Sequence, residues 1–244
     1  MVRDRSAVSV VDVPDGVGGY TMSVEKASCI LPYTALRAKA DSASEQNTQA
    51  LFADPIDVMD RGNGWAHVVL ADGYEGFLTA EALGDPLPKD RAHVVVVPQA
   101  ADRYMGTWLP VPGLRTEPLA AARRKASGEA VAEAALMFVG APYEWGGVTV
   151  EGLDCSGLVQ AIHRRFGLLL PRNADQQEKE GAEVPYAQAR PGDLLCYGDH
   201  IAVYVGDDEI CHATETHGKV VREQHPDDLR KRLRTVRRIY DGEE

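Results

Sequence analysis

Two different hydrophobic rhythms divide the chain. Between residues 30 and 84 the apolar positions come in short runs separated by turn residues. Ala50-Leu51-Phe52, Ile56-Asp57-Val58-Met59 and Trp65-Ala66-His67-Val68-Val69-Leu70 read as strands. Arg61-Gly62-Asn63-Gly64 and Ala71-Asp72-Gly73 read as turns, and a further strand is predicted over residues 74–78. Several short strands at close spacing predict a small all-β barrel. Residues 91–126 are less regular. A strand is predicted over 94–97, but Pro110, Pro112, Gly113 and Pro118 interrupt the rest of the segment. It is either a linker or a reduced second barrel.

From Ser127 the rhythm changes. Ser127 is placed to cap a helix over residues 128–138, which Gly140 ends. Leu158, Val159, Ile162 and Phe166 form the apolar stripe of a second helix over 156–166, stopped by Gly167. A short polar helix covers 173–180. After the Pro191-Gly192-Asp193 turn, strands are predicted at 194–197, 201–205, 210–213, 220–222 and 234–240. Helices first and an antiparallel sheet afterwards predict an α+β fold. The expected division is a barrel over 1–90, a connecting segment over 91–126 and an α+β domain over 127–244.

Charge removes some function classes. The 244 residues carry a formal charge of -11, and nucleic acid or an anionic membrane surface calls for clustered Lys and Arg. The densest basic groups, Arg123-Arg124-Lys125 and Arg230-Lys231-Arg232, are short and read as solvated faces. No apolar run comes after the arginines near the N-terminus, so no secretory signal is read there. The most apolar stretch, 130–141, is too short to span a bilayer and contains Glu133. A cytoplasmic monomer is expected. The four cysteines (Cys29, Cys155, Cys196 and Cys211) are spread out with no CxxC pair, which suits free thiols in a reducing compartment.

Candidate chemistry centres on Asp154-Cys155-Ser156-Gly157. Cys155 sits where a loop enters a helix, so unpaired N–H groups and the helix dipole should lower its thiol pKa. The same N–H groups could hold an oxyanion, and Gly157 would let a substrate backbone approach. His200 precedes the alternating strand Ile201-Ala202-Val203-Tyr204-Val205, and His212 lies in Ile210-Cys211-His212-Ala213. A hairpin turning at Gly206-Asp207-Asp208 puts both imidazoles on one face of a sheet. Nucleophile, base and orienting residue are then all available. A zinc site from Cys196, His200, Cys211 and His212 is the competing reading, disfavoured because Cys211 and His212 are adjacent on a strand and face opposite ways. No metal or cofactor is expected. Trp65, His67 and Trp108 read as core or interface residues, Cys29 and Cys196 as packing, and His93, His163, His217 and His225 as surface residues.

These stretches carry a resemblance. Pro142-Tyr143-Glu144-Trp145-Gly146-Gly147, Asp154-Cys155-Ser156-Gly157-Leu158-Val159, Leu170-Pro171-Arg172, Arg190-Pro191-Gly192-Asp193-Leu194 and His200-Ile201-Ala202-Val203-Tyr204-Val205-Gly206 succeed one another as in the NlpC-type cysteine peptidases of bacterial cell-wall turnover. Those enzymes have a minimal papain-like fold. Leu36-Arg37, Gly64-Trp65 and Asp72-Gly73-Tyr74-Glu75-Gly76-Phe77 resemble a bacterial SH3-like domain, with Phe77 where Trp is usual. The resemblance implies Cys155 as nucleophile, His200 as base and His212 as orienting residue. It implies Tyr143, beside Trp145, as a shaper of the substrate site, and Asp154 and Ser156 as holders of the substrate's amino end. Tyr74 matches a barrel contact to substrate, and Glu45, or alternatively Glu75, the acid that meets the amine. Ala174 stands where relatives often have a small hydroxyl residue.

The implied activity is that of γ-D-glutamyl-L-diamino-acid endopeptidases. Their substrates are murein peptides with a free N-terminal L-Ala, such as L-Ala-γ-D-Glu-diaminopimelate or its lysine counterpart. A thiol amidase or acyltransferase, and a catalytically silent wall-binding protein, are the alternatives.

Overall fold

A computed structural model describes residues 24–88 and 91–240. The N-terminal stretch on which the leader reading rests lies outside the described residues. In the first unit, alternation along the chain becomes alternation across a sheet. The strands are β1 (Glu25–Cys29), β2 (Tyr33–Arg37), β3 (Gln46–Leu51), β4 (Pro55–Gly62), β5 (Trp65–Leu70), β6 (Glu75–Thr79) and β7 (Leu83–Gly84). They form one antiparallel sheet in the order β3-β2-β6-β5-β4-β1-β7. On β5, Ala66, Val68 and Leu70 point inward, while Trp65, His67 and Val69 are half-buried. Leu36, Ala50, Ile56, Val58 and Leu78 complete that core.

The connecting segment has secondary structure of its own. It folds as β8 (His93–Val95), a β9 (Gln99–Ala100) and β10 (Arg103–Tyr104) hairpin, β11 (Trp108–Leu109), β12 (Thr116–Pro118) and α1 (Leu119–Arg124). β8 pairs with both β11 and β12. Val94, Leu119 and Ala122 give it a small core of its own.

In the last unit α2 (Gly128–Leu136) starts at Ser127, whose side chain accepts from the Ala130 N–H. After the β13 (Val148–Thr149) and β14 (Gly152–Leu153) hairpin come α3 (Cys155–Arg165) and α4 (Ala174–Gln177). The remaining elements are β15 (Ala182–Val184), β16 (Leu194–Cys196), β17 (Ile201–Gly206), β18 (Glu209–Thr214), β19 (Lys219–Gln224), α5 (Asp227–Arg232) and β20 (Thr235–Arg238). They make an antiparallel sheet ordered β15-β20-β16-β17-β18-β19. α2 and α3 bury Val131, Phe138, Leu158, Ile162 and Phe166 against Leu194, Ile201, Val203 and Val220. Leu229 of α5 packs with Leu195, Tyr197, Ala202 and Ile210 in a separate cluster. The fold class is α+β.

Two histidines are placed against expectation. His163 is fully buried, its Nδ1–H bonded to the Val159 carbonyl at 2.7 Å and its ring stacked on Tyr240. It shares the inner face of α3 with Val159 and Phe166. His225 is buried between the hydroxyls of Tyr186 (2.9 Å) and Tyr197 (3.0 Å). In each case a tertiary or helical partner satisfies a ring nitrogen, which allows burial of the neutral imidazole. His93 is half-buried, and His217 is exposed as read.

Candidate active site

The site is built on the first turn of α3. Asp154 is extended (φ -95°, ψ -178°) and its Oδ1 accepts from the Gly157 N–H at 2.7 Å, a carboxylate N-cap. Cys155 is the first helical residue and is half-buried. The helix terminus does not bring its pKa down overall. Burial, followed by the neighbouring Asp154 carboxylate, pushes the thiol up to about 12, against the backbone N–H groups of Ile201 and Ser156 and the Arg172 guanidinium. Burial and the adjacent His212 push His200 the other way, down to about 4. Burial thus disfavours the charged form of each group on its own, and a thiolate forms here by transfer of the thiol proton to a base.

Gly157 serves a different purpose from the one expected. A Cβ there would lie 2.0 Å from the Gly147 carbonyl oxygen. Its missing side chain makes room for the 146–147 turn, not for substrate.

The histidines come together through the β17–β18 hairpin. Asp207 and Asp208, at φ 50° and 60°, make a two-residue turn of the type I′ kind. Val203 pairs with Cys211, so His212 lies opposite Ala202 and diagonal to His200. His200 Nε2 is 2.8 Å from His212 Nδ1. Cys211 points into the α2–α3 core, where its Sγ donates to the Ala135 carbonyl. Among the described residues no three His, Cys, Asp or Glu side chains converge as metal ligands.

Cys155 and Trp145 line two clefts at once. The first, about 530 Å³, is bounded by Glu45, Asn47 and Tyr74 of the barrel and by Asp154, Ser156 and Arg172. The second, about 550 Å³, contains Tyr143, His200, His212 and the 214–217 turn. Trp145 is 61% exposed, and its Nε1–H donates to Glu45 Oε1 at 2.8 Å. The second Glu45 oxygen has no partner among the described residues. Glu75, the alternative acid, is bonded to His67 at 2.7 Å and lines neither cleft. Burial, followed by the neighbouring Cys155 and Asp154, pushes the half-buried Tyr143 hydroxyl up to about 12.

Sequence reasoning gives Arg172 no role, yet it holds the site together. It is 2% exposed and pairs with Asp154 Oδ2 at 2.6 Å. Its Nη1 also donates to Asp154 Oδ1 (3.0 Å) and Ser156 Oγ (2.8 Å), and its Nε to Thr48 Oγ1 of β3 (2.9 Å). With the Gly146 and Gly157 amides and the Ser156 hydroxyl, Arg172 occupies both Asp154 oxygens. Asp154 is thus a frame for the cleft wall more than a free acceptor. Nothing local in the chain signals this role, because the partners that bury the guanidinium, Asp154, Ser156 and Thr48, are distant in sequence.

Fold and site together define a papain-like thiol domain behind an SH3-like barrel. The C-terminal unit matches the NlpC/P60 family over residues 140–238, and residues 36–83 match the bacterial dipeptidyl-peptidase SH3 domain. The chain is similar to the gamma-D-glutamyl-L-lysine dipeptidyl-peptidase of Bacillus subtilis, with 28% identity over 174 residues, 68% of this chain and 53% of that protein. It is also similar to the murein DD-endopeptidase MepS/murein LD-carboxypeptidase of Escherichia coli, with 35% identity over 106 residues, 41% of this chain and 56% of that protein. The chain spans about half the length of these curated relatives. The crystal structure of an NlpC/P60 family protein from Bacillus cereus has the same fold, with a TM-score of 0.72 over 88% of this chain and 99% of that one, at 18% identity.

Proposed function

We propose that the protein is a cysteine endopeptidase that hydrolyses the γ-D-Glu–L-diamino acid bond of free murein stem peptides, in cytoplasmic recycling of cell-wall peptides. It acts as a monomer, without a cofactor. The observation that carries the reading is the position of Cys155 between two clefts, one of them walled by the barrel residues Glu45, Asn47 and Tyr74. L-Ala and D-Glu occupy the walled cleft and the diamino acid lies in the open one, so the scissile carbonyl rests over the thiol. The relative from B. subtilis is named for the γ-D-glutamyl-L-lysine bond, and its match covers 68% of this chain, more than residues 91–244 make up, so it reaches into the barrel. The match to the E. coli protein is shorter than residues 127–244.

Chemistry follows from the paired groups. His200 takes the Cys155 proton as sulfur attacks the carbonyl, and N–H groups at the start of α3 receive the developing oxyanion. The imidazolium then protonates the leaving diamino-acid nitrogen. Water, deprotonated by His200, hydrolyses the thioester and restores the thiol. Glu45 meets the ammonium of L-Ala because it lines the walled cleft and only one of its oxygens is bonded among the described residues, while Asp154 and Ser156 keep Arg172 and the wall in place.

The test compares cleavage of free L-Ala-γ-D-Glu-diaminopimelate with its N-acetyl form and with intact sacculi. Acetylation removes the charge and adds bulk at the wall, so kcat/KM should fall by about a hundredfold or more. Equal cleavage of all three would refute the recycling role.

A further inference from the structure

Behind His212 stands a group that the triad does not include. We propose that Glu223 is a positioning residue that fixes the direction of the protons along Cys155, His200 and His212. The proposal rests on the thiol mechanism above.

Acceptors decide the tautomers. Glu223 Oε1 is 2.9 Å from His212 Nε2. An ionised carboxylate can only accept, so His212 carries its proton on Nε2. A neutral imidazole has one N–H, which leaves His212 Nδ1 bare. That bare nitrogen lies 2.8 Å from His200 Nε2, so His200 donates and its own proton is on Nε2. His200 Nδ1 is then the lone pair left to receive the thiol proton. Without an acceptor at position 223, His212 is free to protonate Nδ1 and donate to His200 Nε2. His200 would then carry its proton on Nδ1 and could not act as base. The carboxylate also favours charge on the array: when His200 becomes imidazolium, its Nε2–H leans on His212, which leans on Glu223.

Strand geometry places the residue. On β19 Val221 pairs with His212, and Glu223 pairs with Ile210. Positions 221 and 223 share a face, so Glu223 is the diagonal cross-strand neighbour of His212. The other groups around the array are already engaged. His217 Nε2 reaches the second Glu223 oxygen at 3.4 Å, and beside His200 the Asp199 carboxylate pairs with Arg232 at 2.6 Å. His212 is 2% exposed while the Glu223 side chain is 28% exposed on an edge strand. A substitution at 223 therefore opens no core cavity.

The test uses the full chain with Glu223→Leu, Glu223→Gln and Glu223→Asp. Imidazole 15N shifts report the tautomers directly, and the rate of Cys155 alkylation by iodoacetamide reports the base without any substrate. In the wild-type protein both rings should show protonated Nε2 and bare Nδ1. Glu223→Leu should lose that pattern, slow alkylation and lower kcat by about tenfold to a hundredfold with KM little changed, the size typical when an orienting partner is removed. Glu223→Asp should restore part of each signal. Should the Glu223→Leu variant fold poorly, Glu223→Gln gives the same readouts, with mixed tautomers expected because an amide can accept or donate. Unchanged tautomers and alkylation in both variants, or lost activity with unchanged tautomers, would overturn the proposal. If the wild-type protein cleaves no murein peptide, the substrate assignment fails, while the shifts and alkylation still decide the role of Glu223.

Discussion

Burial outweighs the helix terminus at Cys155, and that sets its pH behaviour. His200 must be neutral to take the thiol proton, and its pKa is pushed down to about 4. As pH falls, the imidazole protonates only near that value, so kcat/KM should hold level through neutral pH and fall on the acid side toward about 4. A pH profile that instead fell at the ordinary histidine value, 6.5, would show that burial of the ring is relieved in solution. Cys155→Ala should abolish hydrolysis while the unfolding midpoint stays unchanged, and His200→Ala should cost nearly as much because the two act as a unit. Activity should survive EDTA and be lost to iodoacetamide. Cys155, His200 and His212 can be read from the chain because each sits in a short local pattern. Arg172 and Glu223 cannot, since their meaning comes from partners 18 and 11 positions away.

Among the elements, α3 carries both chemistry and acid sensitivity. His163 is held neutral inside it, its pKa pushed by burial from 6.5 to about 4. Between those values the unfolded chain binds a proton that the folded protein does not. Folding stability should therefore be intact above pH 6.5 and decline as pH drops toward 4, by about 3 kcal/mol from this group alone. His200, His212 and His225 are shifted in the same direction and add to the slope. Urea unfolding at several pH values should show a shallower acid decline for His163→Leu than for the wild-type chain; equal slopes would remove His163 as a cause. Between residues 127 and 240, α2, α3 and β16 to β19 are legible because capping residues and apolar patterns agree locally, whereas β13, β14, β15 and α5 are not. β1 is not either, since Glu25-Lys26-Ala27-Ser28-Cys29 has no β-branched alternation and pairing with β4 and β7 makes it a strand. His163 escapes a sequence reading because an apolar stripe is recognised by its apolar members.

At the scale of the whole molecule, the barrel and the thiol domain are joined by buried polar contacts. Arg164 at the end of α3 forms a buried ion pair with Asp54 and donates to the Gly106 carbonyl, and the Trp108 indole donates to the Arg164 carbonyl. Gln160 reaches Asp72 at 2.9 Å, and Gln49 Oε1 accepts from the Val148 N–H at 3.0 Å. Asp54→Ala should destabilise the chain by about 3–5 kcal/mol, because it leaves a guanidinium buried and unpaired. The double change Asp54→Leu with Arg164→Met should recover most of that loss, since neither charge then remains inside. Chemical denaturation of the two variants measures both effects; a double variant no better than the single one would show that the ion pair itself supplies the stability.

Gly146 sets a limit on how the specificity of such a protein can change. It holds φ +76°, and a Cβ there would sit 2.3 Å from the Gln46 carbonyl of β3. Barrel backbone and thiol-domain backbone thus touch directly beside the cleft, with no side chain between them to trim or enlarge. Together with Arg172 and Thr48 this seam is incompressible, so mutation there unseats the domains before it reshapes the cleft. Variation is left to the barrel side chains that line the cleft away from this backbone contact: Glu45, Asn47 and Tyr74. A lineage adapting to a different peptide would change those three and keep the seam, so that evolution of substrate choice runs through the barrel while the chemistry stays fixed.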